Sequence, residues 1–204
     1  WETYFKTVSA NHQKALLKVD TRIEDSNALK NLTTKVELLD AQGKQVATGQ
    51  QKINQQGAAS FNLEVTNPHL WDIDTPYLYT LKTTLLKGKK AIDQTTTKVG
   101  IRTIDVSKEY GFRLNGKSLK FKGVCLHHDL GALGAALNKT AVIRQIEMMK
   151  KMGVNAIRTS HNMPSQMQMD VCDSLGMMVM AESFDAWKDL KVKNGYGRIY
   201  DEWW

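Results

Sequence analysis

Between Tyr4 and about Val106, apolar and polar residues alternate in short runs that turn residues separate. Residues 59–65 form the clearest run, with Phe61, Leu63 and Val65 predicted on one face of a strand. About seven such runs within roughly 100 residues predict an immunoglobulin-like β-sandwich. The other predicted strands include residues 15–23, 34–39, 45–48, 77–86 and 91–99.

Residues 67–79 separate the fifth and sixth predicted strands, and Pro68 and Pro76 bracket Trp71 there. Proline fixes the backbone and a tryptophan ring packs over a large area, so we predict a rigid crossover with an aromatic anchor. His12 and His69 fall in predicted turn or surface positions and are not predicted to be ligands.

After Lys108 the period of the pattern changes from that of strands to a mixture of strands and helices. Asn115-Gly116 is a strong two-residue turn signal and predicts a hairpin. Strand, helix, strand, helix and strand then follow with short links, which is typical of a parallel sheet or barrel. The predicted strands are residues 122–126, 154–157 and 177–181; the first helix is residues 140–152, and the second has Pro164 in its first turn and Gly176 as its stop. We therefore predict two domains, residues 1–107 and 108–204.

Polar, titratable residues follow all three predicted strands of the second domain. In an α/β barrel the functional face lies at the carboxyl ends of the strands. Each residue alone could be a helix cap, part of an ion pair in a loop or a hydrogen-bonded structural histidine. Because such residues occur at all three strand ends, a shared site is favoured. The residues are His127, His128 and Asp129; Arg158, Ser160 and His161; and Glu182 and Asp185.

Charge and composition exclude some classes of protein. The net charge is +7, from 28 basic and 21 acidic residues, and the basic excess is spread over both halves, so no nucleic-acid partner is predicted. No apolar run approaches the roughly 18–20 residues that span a bilayer, and no signal peptide is visible. The chain opens on Trp1, which we interpret as a processed or excised piece. Cys125 and Cys172 are predicted to be buried free thiols.

Three stretches resemble glycoside hydrolase family 2, and the resemblance covers nearly the whole chain. They are residues 114–117 with 119–124 and His127, residues 155–161, and residues 170–177 with Glu182. Residues 68–79 and 100–102 resemble the central sandwich domain of the same family. The family contains β-galactosidases, β-glucuronidases and β-mannosidases, and the resemblance implies a TIM barrel that follows the sandwich.

The resemblance also implies roles for particular residues. Arg158 matches an arginine that orients and charges the nucleophile, and His127 and His161 match histidines that line the sugar subsite. Glu182 matches an acidic residue that ends the third barrel strand, and Asp185 follows it within the predicted site. Family members are retaining enzymes with two glutamates whose carboxyl groups lie about 5 Å apart.

The two catalytic glutamates are predicted to lie beyond Trp204. A (β/α)₈ barrel takes about 250 residues, whereas 97 remain after Ser107 (204 − 107), and the Asn-Glu dipeptide expected at the acid/base occurs nowhere in the sequence. We therefore predict a catalytically inactive fragment of a glycosidase of terminal β-linked sugars, a β-galactosidase first, with β-glucuronidase or β-mannosidase as the alternative. The resemblance suggests a periplasmic or secreted bacterial enzyme.

An incomplete barrel would leave an open, apolar sheet edge, which is a template for pairing with another chain. We accordingly predict that residues 108–204 are poorly ordered, rearranged or paired with a second molecule.

The sequence departs from the family pattern at two places, and two other classes of protein stay open. Cys125-Leu126 replaces the usual Asn-Arg, and residues 181–184 replace Asp-Glu-Ala-Asn. Metal ligands known in some β-galactosidases find no match at residues 186–188, so neither a magnesium site nor a cofactor is predicted. The alternatives are a non-catalytic binding module with an exposed platform of Trp71, Tyr77 and Tyr79, and a zinc hydrolase built on His127, His128, Asp129 and His161.

Overall fold

The structure, a computed structural model, describes residues 2–23, 31–183 and 192–194. The chain forms two compact units that meet in the sequence between Leu119 and Lys120. Each unit has its own hydrophobic core.

Seven long antiparallel strands form the main part of the first unit, as the alternation predicted. One sheet has the strand order β1-β2-β5 and the other the order β4-β3-β6-β7. The fourth strand therefore pairs with the third, which gives a sandwich of three strands against four. The strands are β1 (Glu2–Ala10), β2 (Lys14–Arg22), β3 (Leu32–Leu39), β4 (Gln45–Lys52), β5 (Ala58–Thr66), β6 (Tyr79–Lys87) and β7 (Lys90–Val99).

The core of the sandwich consists of side chains at alternate positions along the strands. On β5, Phe61, Leu63 and Val65 are buried and the residues between them are exposed, which confirms the prediction for that run. Leu17 on β2 and Leu81 on β6 are buried in the same cluster. Full burial of each such side chain contributes about 1.5–3 kcal/mol, so this cluster is the main source of stability in the unit.

Trp71 anchors the crossover between β5 and β6, as predicted. Its side chain is 2% exposed, its backbone N–H donates to the carbonyl of Ile101 at 2.8 Å, and its carbonyl accepts a hydrogen bond from Asn115 Nδ2 at 2.9 Å. Arg102 places its guanidinium 4.8 Å from the centroid of the indole ring. A side chain at Gly100 would put its Cβ 2.9 Å from Trp71 Cβ, so only glycine allows this close approach.

The exposed aromatic platform that a binding module would need does not form. Trp71 and Tyr79 are both buried, and the Tyr79 hydroxyl accepts a hydrogen bond from the backbone N–H of His69 at 2.8 Å. Tyr77 stacks on the His69 ring with the centroids 4.6 Å apart. These aromatic residues hold the crossover together, as the predicted anchor implied, and the alternative of a binding module gains no support from them.

A small three-stranded sheet, with the order β10-β9-β8, completes the first unit. Its strands are β8 (Ile104–Ser107), β9 (Gly111–Leu114) and β10 (Lys117–Ser118). Asn115 and Gly116 have φ angles of 50° and 77°, and two positive φ angles at these positions are typical of the tight hairpin turn that the sequence predicted.

Among its described residues the second unit has three parallel strands and two α-helices, which confirms the predicted repeat. Its sheet has the order β11-β12-β13, and its core lies between the helices and one face of that sheet. The elements are β11 (Gly123–Leu126), a 3-10 turn (Gly131–Leu133), α1 (Lys139–Lys151), β12 (Ala156–Thr159), α2 (Gln166–Leu175) and β13 (Met178–Ala181).

Helix ends in the second unit follow the sequence signals with one exception. Asn138 caps α1 by accepting a hydrogen bond from Ala141 N at 3.0 Å, and Gly176 ends α2 with a left-handed φ of 73°. Pro164 was predicted in the first turn of α2, but the helix begins after Ser165, whose hydroxyl accepts from Gln168 N at 3.1 Å. A serine cap is the stronger start signal because it satisfies a free backbone N–H.

Candidate functional site

The two faces of the parallel sheet differ in what covers them. Val124, Leu126 and Val179 pack against the core between the sheet and the helices. The opposite face carries Cys125, Arg158 and Met180, which are register partners on the three adjacent strands. Met180 is 58% exposed on this face.

Cys125 is exposed, so the prediction of a buried thiol is wrong for this residue, whereas Cys172 is buried as predicted. The sequence pattern of residues 122–126 predicted a buried strand. In β11, however, Val124 and Leu126 are half-buried while Gly123 and Cys125 are exposed, because helices cover only one face of the sheet among the described residues.

Arg158 lies at the centre of the exposed face. Its Nε donates to Glu182 Oε1 at 2.6 Å, and its Nη2 contacts the same carboxylate oxygen. The prediction placed Arg158 after its strand, but β12 runs from Ala156 to Thr159 and includes it. Because β12 is bonded on both sides, the backbone that carries the guanidinium is held by both neighbouring strands.

Glu182 connects the ends of β12 and β13. Its backbone N–H donates to the buried Thr159 hydroxyl at 3.1 Å, and its second carboxylate oxygen lies 3.0 Å from His161 Nδ1. The His161 ring meets the His127 ring edge to face, with the centroids 5.7 Å apart. Four predicted site residues, His127, Arg158, His161 and Glu182, therefore form one cluster, which we call the strand-end cluster; Asp185 lies outside the described residues.

Three ionisable groups of this face have perturbed pKa values, and that of Arg158 is raised by its hydrogen bonds to Cys125 and then to Glu182. Partial burial alone would raise the pKa of Glu182, but hydrogen bonds from Arg158 and His161 outweigh it and hold the pKa below its ordinary value. For Cys125, the polar Ser160 side chain nearby and then the hydrogen bond from Arg158 lower the pKa of the thiol. The shifts of Glu182 and Cys125 favour the charged form near a fixed positive charge.

The lowered pKa of Glu182 predicts an acid dependence of stability in the second unit. The folded state gains stability from the ionised carboxylate at pH values above the unfolded pKa of 4.5 and loses it as the pH falls through the lower folded pKa. The wild-type chain should therefore be more stable than Glu182→Gln at pH 7, and the difference should shrink in acid. Thermal unfolding of both proteins from pH 7 to pH 3 measures it; a difference that stays constant with pH contradicts the prediction.

The two remaining titratable residues of the predicted site that the structure describes, Asp129 and His128, lie outside the strand-end cluster. Asp129 accepts a hydrogen bond from the backbone N–H of Gly131 at 2.6 Å, which fixes the loop after β11. His128 lines a small pocket of about 20 Å³ beside His127. Among the residues that the structure describes, no three His, Cys, Asp or Glu side chains form a group that could hold a metal ion, and the zinc hydrolase hypothesis gains no support there.

Sequence reasoning missed two contacts that organise the cluster. Cys125 Sγ accepts a hydrogen bond from Arg158 Nη1 at 3.4 Å, and Thr159 holds the backbone of Glu182. Both follow from strand register, which a single sequence does not give, although the period of two in a strand places Cys125 and His127 on one face.

The fold and the cluster define the opening strands of an α/β barrel that carries a polar site at the strand ends. The model of glycosyl hydrolases family 2 matches residues 2–102, and the model of the TIM barrel domain of that family matches residues 104–200. The chain belongs to glycosyl hydrolases family 2, as its motifs implied.

Several known proteins resemble the chain over nearly its full length. A β-galactosidase of Bacteroides ovatus is 42% identical over 100% of this chain and 24% of its own length. A solved family 2 structure from Bacteroides cellulosilyticus matches with a TM-score of 0.88 and 38% identity over 99% of this chain and 27% of its own. The β-glucuronidase of Parabacteroides merdae matches with a TM-score of 0.77 and 30% identity over 87% of this chain and 23% of its own. The chain thus spans about a quarter of the length of these relatives. No helix in the described residues has the length and apolar character needed to cross a membrane.

Proposed function

We propose that the parent protein, meaning the whole family member to which this chain corresponds in part, is a retaining glycosidase that releases terminal β-linked sugars. The observation that carries the proposal is the strand-end cluster, in which Glu182 orients both Arg158 and His161. The names of the relatives support this reaction class.

The cluster supplies binding and orientation in this reaction. Histidine and arginine nitrogens donate hydrogen bonds to sugar hydroxyls or to a carboxylate, and His127, Arg158 and His161 come from the ends of two adjacent parallel strands. Retaining hydrolysis needs two carboxyl groups about 5 Å apart. The described cluster holds one carboxylate, Glu182, and both of its oxygens are already bound. We therefore propose that the 204-residue chain alone does not turn over substrate.

The guanidinium of Arg158 can serve either a neutral sugar or a uronic acid. Its Nε and Nη2 contact Glu182 and its Nη1 contacts Cys125, which uses three of the five N–H donors of a guanidinium. The other two can donate to a sugar hydroxyl or to a uronate carboxylate. The names of the relatives therefore set the order of the proposal: we place β-galactosides first, as in the Bacteroides ovatus relative, and β-glucuronides second, as in the Parabacteroides merdae relative.

Hydrolysis of p-nitrophenyl β-galactoside, β-glucuronide and β-mannoside by the 204-residue chain and by the parent protein tests the proposal. We expect turnover by the parent alone, fastest on the galactoside. If the parent protein is inactive on all three glycosides, the proposal that it is a glycosidase is wrong. If it hydrolyses the glucuronide faster than the galactoside, the proposed choice of sugar is wrong. If the 204-residue chain is active, its two catalytic carboxylates must lie among Asp129, Glu182 and Asp185. Self-association of the 204-residue chain stays a prediction.

A further inference from the structure

Arg158 makes contact on both edges of its guanidinium. The edge formed by Nε and Nη2 faces Glu182, which follows β13. The remaining nitrogen, Nη1, donates to Cys125 Sγ on β11 at 3.4 Å. The guanidinium thus joins the strands on either side of its own, and it cannot turn towards one partner without breaking its bond to the other.

The Cys125 contact is built by the fold. Cys125 and Arg158 are register partners on adjacent parallel strands, so their side chains leave the sheet on the same face. The pairing of the two strands continues beyond Arg158, because the backbone N–H of Ser160 donates to the carbonyl of Leu126 at 3.0 Å. Ser160 is 2% exposed, and its hydroxyl has no hydrogen-bond partner among the described residues.

We propose that Cys125 is a positioning residue, which holds the Arg158 guanidinium through Nη1 and, as a thiolate, strengthens that hold. The inference deepens the proposed function, since it concerns the arginine of the same site. A neutral thiol is a weak hydrogen-bond partner, whereas a hydrogen bond to an ionised acceptor is roughly twice as strong as a neutral one. The position therefore provides a contact whose strength depends on the charge of the sulfur.

The electrostatics of the face agree with this role. The polar Ser160 side chain and then the hydrogen bond from Arg158 lower the pKa of Cys125, and burial and then the negative charge of Glu182 oppose them. The other thiol offers a natural contrast, because burial and then Asp173 raise the pKa of Cys172 to about 12. The thiolate is the nucleophilic form, so a soft electrophile should react at Cys125 and spare Cys172.

The pH profile of alkylation tests the coupling between the three side chains. The chain is treated with iodoacetamide, a neutral reagent, between pH 5 and pH 10, and peptide mass spectrometry follows Cys125 and Cys172 separately. We expect Arg158→Gln to move the Cys125 midpoint to higher pH and slow the reaction several-fold at pH 7. Glu182→Gln should move the midpoint the opposite way, because it removes a negative charge near the sulfur. Midpoints that coincide in all three proteins would overturn the proposal.

Two controls keep the test decisive. Cys172 should stay unreactive in every variant, which reports that the second unit is folded. If a variant exposes Cys172, the wild-type chain gives the answer: alkylation of Cys125 should move the ¹⁵N resonance of Arg158 Nε in the NMR spectrum, and an unmoved resonance overturns the proposal. Neither the alkylation profile nor the NMR resonance requires turnover of a substrate. A failure of the Cys125 proposal is therefore distinguishable from a failure of the glycosidase assignment.

Discussion

Replacement of Trp71 by alanine should lower the free energy of unfolding of the sandwich by about 3–5 kcal/mol, the cost typical of removing a buried tryptophan. The indole is 2% exposed and packs under Arg102 and against Gly100. Without it the crossover between β5 and β6 loses its anchor, and the cavity it leaves adds to the lost burial. Such a loss is a large part of the 5–15 kcal/mol that typically holds a domain folded.

Urea unfolding followed by hydrogen exchange measures the effect where it occurs. Amides of β5 and β6 should lose protection in Trp71→Ala at lower urea than in the wild type, whereas α1 should respond little, since it belongs to the other core. Trp71→Phe is the matched control, because it keeps a ring in the same space and should cost less. Equal stability of Trp71→Ala and the wild type would show that the crossover is held by its backbone bonds alone.

Replacement of Arg158 by glutamine should lower kcat of the parent protein by about 100-fold, the scale seen when one group that stabilises developing charge is removed. The substitution removes the positive charge that Glu182 and Cys125 orient. It also leaves the Glu182 carboxylate with His161 as a remaining partner. Steady-state kinetics on the preferred aryl glycoside give kcat and KM separately.

Two variants calibrate this measurement. Arg158→Lys keeps the charge but loses the guanidinium fork, and should fall between the wild type and Arg158→Gln. Arg144→Gln makes the same chemical change on the exposed face of α1 and should leave kcat unchanged. If Arg158→Gln and Arg144→Gln have equal kcat values, Arg158 has no role in the reaction.

The parts of the fold that sequence predicted are those that local patterns determine. Alternation placed Phe61 and Leu63 in the core, and Asn115-Gly116 marked a hairpin because few residues tolerate two successive positive φ angles. Likewise, the polar residues at three strand ends predicted that His127, Arg158 and Glu182 share one site.

The features that sequence missed depend on residues far apart in the chain. Cys125 looked buried because its neighbours are apolar, but the described helices pack on the other face of the sheet, against Val124 and Leu126. The two prolines around Trp71 predicted an anchored crossover, but nothing local shows what the tryptophan packs against; its carbonyl, for example, is bonded by Asn115, 44 residues later. Contacts of this range require the tertiary structure.

The two hydrogen bonds of the Asn115 side chain also affect the rate at which this asparagine can deamidate. Asn-Gly pairs lose their amide when the following backbone nitrogen attacks the side-chain carbonyl carbon, which requires the side chain to swing round. Here Oδ1 accepts from Thr103 N at 3.0 Å and Nδ2 donates to the Trp71 carbonyl, so the amide is held in place. Conversion to aspartate would set a carboxylate against that carbonyl and remove a donor. The chemical lifetime of the hairpin is therefore tied to the packing of the crossover.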